Sequence, residues 1–288
     1  MTTAQPHLFE ALVWRLAQRI SGARPGGHRG LARGAGEIFA DVAPLARHPD
    51  PRRLDLRRSL TDPFGEVFVR RFETRTDLTL HLLLDASASL ATGAQADRQE
   101  LAALLASGFA QAARRGGDLF ALDVGCGGRK ALEIPPGRSL NAPEEIFARL
   151  RSLAPQGEGL EALARLTEAL PHERILVALI SDFEHAPEEL DELLSALRPR
   201  PLLPIWLRDS GLENPPGGFG LADLRDPETG RRRVVLTTKT WAAAQSRTSA
   251  ERRAALKRVF ERHGLRPVEI LDGISIGELS AALEEAPP

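Results

Sequence analysis

The chain has no tyrosine, a single cysteine (Cys126) and only three lysines among its 38 basic residues. One cysteine excludes an internal disulfide and agrees with a reducing compartment. Without a catalytic motif around it, Cys126 reads as a small buried apolar residue, not a nucleophile. No stretch approaches the roughly 18 consecutive apolar residues of a membrane span. Pro6 to Ile20 carries Trp14, Arg15 and Arg19 on a helical pattern and lacks a signal peptide's continuous apolar core, so a cytoplasmic protein is expected. Charge of one sign is also lacking: the formal net charge is -1, which gives no bulk attraction to nucleic acid or anionic membrane.

Several catalytic signatures are missing as well. Gly125-Cys126-Gly127-Gly128-Arg129-Lys130 lacks the Gly-x-x-x-x-Gly-Lys-Ser/Thr spacing that cradles phosphates, so it reads as a turn. ATP hydrolysis is therefore not expected of this chain. The seven histidines form no His-Glu-x-x-His or paired spacing, which leaves transition-metal hydrolysis unsupported. His185, close to Asp182, reads as a loop residue and not a base.

The most informative stretch present is Leu78-Thr79-Leu80-His81-Leu82-Leu83-Leu84-Asp85-Ala86-Ser87-Ala88-Ser89. Leucine at nearly every position predicts a strand buried on both faces, as in a parallel sheet covered by helices. Asp-x-Ser-x-Ser then falls at the strand's carboxyl end, where ligands collect in open α/β sheets. One carboxylate and two hydroxyls at alternate positions suit a small hard cation that keeps displaceable waters. The alternative reading is a strand end whose Asp and Ser cap the next helix. A second strand, Ile175-Leu176-Val177-Ala178-Leu179-Ile180-Ser181-Asp182, ends on another acid. In the doubly wound strand order 3-2-1-4-5-6 these two strands are neighbours across the switch point.

The expected fold is α/β: a doubly wound, mostly parallel sheet flanked by helices, preceded by an N-terminal extension over residues 1–76. In that extension, Leu8, Leu12, Leu16 and Ile20 predict an opening amphipathic helix, Ser21 to Gly36 a loop, and Phe64 to Phe72 a strand. Residues 1–77 hold 13 arginines and no lysine against nine acids. Scarcity of lysine throughout suggests a preference for arginine over selection for a polyanion, so these arginines are expected to be solvated or paired with protein acids. From Asp77 to the end, strands and helices alternate. Asn141 is placed to cap the helix from Pro143, a hairpin is expected around Asp226 to Gly230, Trp241 to His263 forms the longest helix, and Ile276 to Glu284 closes the chain.

On these residues the chain resembles the von Willebrand factor A (vWA) fold with a metal-ion-dependent adhesion site (MIDAS), and more closely the bacterial family DUF58. The resemblance extends to Gly30 to Val42, to Asp50-Pro51-Arg52-Arg53-Leu54-Asp55-Leu56, to Val69 to Asp77, and to Leu224-Arg225-Asp226-Pro227-Glu228-Thr229-Gly230. It implies a divalent cation, Mg2+, held by Asp85, Ser87 and Ser89, with Asp182 direct or through water, and an open position for an acid from a partner. The family's Thr ligand is absent. Gln156-Gly157-Glu158-Gly159-Leu160 stands in its place, where Glu158 either supplies a carboxylate or points to solvent. The resemblance also implies a partner, a MoxR-type AAA+ ATPase, and a client protein complex. The expected function is therefore a metal-dependent protein-interaction module, an adaptor or assembly factor and not an enzyme, with no nucleic acid bound. Two alternatives differ in kind: a metal-dependent phosphoester hydrolase or nuclease, and a structural vWA-like domain whose metal site has degenerated.

Overall fold

The computed structural model describes residues 29–75, 79–138, 143–157, 160–171, 175–225 and 230–274. In chain order the strands are β1 (Arg29–Pro44), β2 (Phe68–Arg75), β3 (Thr79–Asp85), β4 (Leu119–Cys126), β5 (Arg129–Gly137), β6 (Ile175–Ser181), β7 (Leu202–Arg208), β8 (Gly220–Arg225), β9 (Arg232–Thr237) and β10 (Val268–Leu271). Residues 29–75 belong to one compact unit and those from 79 onward to a second.

The second unit is built on one six-stranded sheet in the order β10-β7-β6-β3-β4-β5. Counted along the chain within that sheet, this is the doubly wound order 3-2-1-4-5-6. All neighbours are parallel except β4 and β5. The run of leucines in β3 is explained by its place between β4 and β6, covered on both faces. On one face Leu83, Val177 and Leu179 pack with Leu163, Leu166, Leu190, Leu194, Val259 and Phe260, which come from helices Leu160–Glu168, Pro187–Leu197 and Lys239–Arg262. Alternation along the strand turns Leu82 and Leu84 to the other face, where helix Arg98–Gly116 lies. Between β4 and β5 the Gly127-Gly128 pair forms a two-residue hairpin turn with both residues at positive φ, so the glycine run is a turn, as read from its spacing.

In the first unit, β1 and β2 pair antiparallel. Here the structure differs from the expectation of a loop over Ser21 to Gly36, since β1 begins at Arg29. Repeated register shifts between Arg29 and Asp41 explain why no period of two was visible. The strand expected from Phe64 starts instead at Phe68, because the Asp62 carboxylate accepts the amides of Phe64 (3.1 Å) and Glu66 (2.9 Å) and holds that stretch in a turn. Arginines of this unit meet acids: Arg70 with Asp55 at 2.9 Å, Arg53 with Asp50, and Arg71 with Asp41. The helices expected over Pro6 to Ile20 and Ile276 to Glu284, and the Asn141 cap, lie outside the described residues. So does most of the turn at Asp226 to Gly230, although its arms β8 and β9 pair antiparallel.

One buried polar pair stands inside the sheet. His81 Nε2 lies 2.9 Å from Asp123 Oδ2, and Lys130 Nζ approaches the other carboxylate oxygen at 3.2 Å. Burial acts to raise the Asp123 pKa, but the bond and charge of His81, then Lys130, outweigh it and hold the carboxyl below its usual value. A folded-state pKa depressed in this way gives stability that is present above the unfolded pKa and lost as pH falls through the folded one. Asp123→Asn is expected to lower stability near neutral pH by about 2 kcal/mol and to flatten the decline below about pH 4. Urea denaturation across pH checks both, and an unchanged acid limb would count against this account.

Candidate functional site

The β3 and β6 strands are in register from Thr79 opposite Ile175 to Leu84 opposite Ile180, so Asp85 comes level with Ser181 and next to Asp182. Both acids are buried, with 1% and 2% of their surface exposed. Both oxygens of Asp85 are engaged by the protein around it. Its Oδ1 accepts the Ser87 amide at 3.0 Å, while Oδ2 accepts the Ser181 hydroxyl at 2.7 Å and lies 2.9 Å from His185 Nε2. The two serine hydroxyls, Ser87 Oγ and Ser89 Oγ, are 2.9 Å apart. Asp182 Oδ2 lies 3.0 Å from a guanidinium nitrogen of Arg98, itself 2% exposed, yet no donor is aligned on that oxygen for a hydrogen bond.

These positions follow from local sequence. Alanines at 86 and 88 let the Asp-x-Ser-x-Ser loop run between two others: the Ala86 amide donates to Gly125 O, the Ala88 amide to Gly157 O, and the Gln156 amide to Ala86 O. Gly157 must be glycine, since it sits at φ +65° and a Cβ there would lie 2.8 Å from Gly127 Cα. After β6 the chain turns sharply at Phe183, which holds φ +48° although it is not glycine. The ring of Phe183 is packed edge-on against Trp206 and Phe260, and the Trp206 indole N–H donates to Asp182 O at 2.9 Å. That packing sustains the strained turn, which aims both Asp182 and His185 at Asp85.

Arg98 and Asp209 complete the frame. Arg98 follows the N-cap Asp97 and donates to Ser89 O, Thr92 O and Thr92 Oγ1. Asp209, just beyond β7, accepts the amides of Ala94, Gln95 and Ala96 on Oδ2 at 2.7, 2.9 and 2.9 Å, and that of Leu212 on Oδ1 at 3.0 Å. The loop between the serines and helix Arg98–Gly116 is thus tied to the end of β7, two strands away from β3.

The electrostatics of the two acids diverge. For Asp85, burial acts upward, but His185, Ser181 and the Ser87 amide together hold its pKa below the usual range. For Asp182, burial raises the pKa and the Asp85 charge adds to the rise, against the opposing Arg98 guanidinium. A buried carboxyl driven upward beside another gains from an additional positive charge. Oxygens and one nitrogen from Asp85, Asp182 and His185 lie within 4.8 Å of one another, near enough to share a small cation. The unaligned Asp182 oxygen, the converging serine hydroxyls and this spacing fit a divalent ion.

Of the residues expected from sequence, Asp85, Ser87, Ser89 and Asp182 are brought together at one edge, while Glu158 lies outside the described residues. Sequence reasoning missed Arg98, Ser181 and Asp209, and read His185 as a loop residue and not a base. His185 does lie in a loop, but buried on Asp85. Ser181 carried a signal that went unused: it ends a strand beside a site acid. Arg98 and Asp209 carried none, because the loop amides that Asp209 accepts and the Asp182 carboxylate that Arg98 meets both lie far from them in sequence.

A doubly wound α/β unit with a buried acidic and hydroxylic cluster at its switch point is the class defined by this fold and edge. The chain belongs to the family described as "Protein of unknown function DUF58", which it matches over residues 50–259. It is 62% identical over 101 residues to a protein of Paracoccus denitrificans described as "Uncharacterized protein in moxR 3'region", covering 35% of this chain and 96% of that one. Among solved structures it is similar to the conserved hypothetical protein BatB from Bacteroides thetaiotaomicron, at 16% identity and a TM-score of 0.40, over 72% of this chain and 96% of that one. Among the described residues no helix is long and apolar enough to cross a membrane.

Asp209→Ala leaves four amides without their acceptor and is expected to cost about 3 kcal/mol. Amide hydrogen exchange at residues 94–96 should quicken with it. Protection there equal to that of the wild type would show that the loop is held by something else.

Proposed function

We propose that this protein is a cation-dependent interaction module, an adaptor or assembly factor that works with an AAA+ ATPase of the MoxR type on a client protein complex. The single observation that carries the reading is the meeting of Asp85, Asp182, Ser87 and Ser89 at the switch point, with two buried carboxylates close enough to share an ion. Asp85, Ser87, Ser89 and Asp182 are the residues that would hold it. The bound ion, Mg2+ or another divalent cation, would supply a positive anchor for a carboxylate presented by a partner. The protein's own part is to fix the donors: Ser181 and the Ser87 amide orient Asp85, the Phe183 turn orients Asp182, and Asp209 with Arg98 immobilises the loop beside the serines. The ATPase partner is supported by the P. denitrificans relative, whose name places it in the moxR 3' region. The role is read as non-enzymatic. Arg98 engages Asp182, and Asp85 receives Ser181 and His185, so both carboxylates are held in place by the protein.

The test is capture from native lysate by wild type and by an Asp85→Ala, Ser87→Ala variant, with Mg2+ or with chelator, read by mass spectrometry. Metal-loaded wild type should enrich a MoxR-type ATPase at least tenfold over the variant or the chelated sample. Equal capture in all four samples would remove this edge from the interaction. A variant that melts well below the wild type would be replaced by Ser87→Ala alone, which removes one hydroxyl and leaves Asp85 in place.

A further inference from the structure

His185 is the one member of the cluster that the oxygen-donor reading of this edge does not use. Its side chain is 5% exposed and its Nε2 faces Asp85 Oδ2 at 2.9 Å. The backbone around it is held from several sides. Arg252 of helix Lys239–Arg262 donates to His185 O at 3.2 Å and pairs with Glu184, while the Ala186 amide donates to Glu189 at the start of the next helix. Phe183 and its aromatic neighbours fix the turn two residues earlier. An imidazole placed so firmly against a buried carboxylate is positioned by the fold and does not merely fill space.

From this we infer that His185 is a direct nitrogen ligand of the ion, which makes the site one for an imidazole-accepting divalent metal and not for Mg2+ alone. The inference rests on the cation-dependent reading proposed above and concerns the identity of the ion. Its first support is geometry. A metal with bonds of about 2.1 Å at right angles holds neighbouring donor atoms about 3.0 Å apart. His185 Nε2 and Asp85 Oδ2 have that separation, and so do Ser87 Oγ and Ser89 Oγ. Asp182 provides the third side of the cluster, with its ligand atom inside the same 4.8 Å limit.

The second support is donor chemistry. Mg2+ favours all-oxygen surroundings and gives up its water reluctantly, whereas Mn2+, Fe2+ and Zn2+ accept imidazole readily alongside carboxylate. Adding one nitrogen to two carboxylates and two hydroxyls therefore shifts preference toward the transition ions.

Mn2+ is the probe, added to full-length protein freed of metal by chelator, and its binding is followed by EPR with Mg2+ as competitor. Pulsed EPR on the Mn2+ complex reads a directly bound nitrogen. The expected result is one tight Mn2+ per chain, a directly coupled nitrogen signal in the wild type, and loss of that signal in His185→Gln. The variant should bind Mn2+ at least tenfold more weakly while its Mg2+ affinity changes less than twofold. Glutamine keeps a donor for Asp85, and a urea midpoint within a few tenths of a molar of wild type shows that the fold is intact. If the variant is unstable, the wild-type nitrogen signal decides alone. A wild-type Mn2+ complex without nitrogen coupling overturns the inference and leaves the cation reading standing, with His185 as a hydrogen-bonded positioning residue. No binding of either ion by wild type overturns both.

Discussion

Two carboxylates buried side by side on adjacent strands cannot both hold charge unless positive groups or hydrogen-bond donors meet them. That constraint organises the carboxyl edge of the sheet. The doubly wound order places β3 beside β6, so Asp85 and Asp182 meet as soon as the sheet forms. The surrounding groups compensate for the two charges. Asp85 takes Ser181, His185 and the Ser87 amide, and Asp182 takes Arg98 and the Glu184 amide. The compensation is unequal, because both oxygens of Asp85 are bonded while Asp182 keeps an oxygen with no aligned donor. The opposite directions of the two pKa shifts express that difference.

The frame around the acids is built from backbone interactions more than from side-chain contacts. Asp209 gathers three consecutive amides of the loop after the serines, as a helix N-cap does, but from across the sheet. Arg98 closes the same loop from within by reaching its carbonyls. Phe183 adds the third constraint, a left-handed residue that would relax if the Trp206 and Phe260 rings did not hold it. Three strand ends and one helix start therefore fix five polar side chains whose own flexibility would otherwise spread them. Preorganisation of this kind lowers the entropy that a ligand would need to pay on binding.

This architecture explains which parts were legible in the sequence. The buried parallel sheet was visible because β3 and β6 are continuous apolar runs, and their adjacency followed once the doubly wound strand order was assumed. Asp85, Ser87, Ser89 and Asp182 were legible for the same reason, as polar residues at the ends of such runs. Strand β1 was not, since bulges scatter its pairing and glycines dilute its pattern. Asp209 acts on amides and Arg98 on carbonyls as well as on the distant Asp182; a backbone group looks the same in every residue, and no spacing links Arg98 to that acid. His185 was underestimated because a lone histidine in a loop carries no spacing, and its role depends on a turn at Phe183 whose positive φ no side chain there would suggest.

Charge at this edge would distinguish the built-in guanidinium from the divalent ion proposed for the site. The Arg98 guanidinium lies 3.0 Å from Asp182 and sets a positive charge against one of the two carboxylates. With the imidazole neutral and both carboxyls ionised, the bare cluster would carry one net negative charge. A divalent ion would reverse it to one net positive charge without moving the backbone that Asp209 and Phe183 hold. An acidic partner would then be repelled by the bare edge and attracted by the loaded one, and the discrimination would reside in charge, not in shape. A rigid frame is what this arrangement demands, because a loop free to relax around the bare acids would dissipate the difference between the two states before a partner could read it.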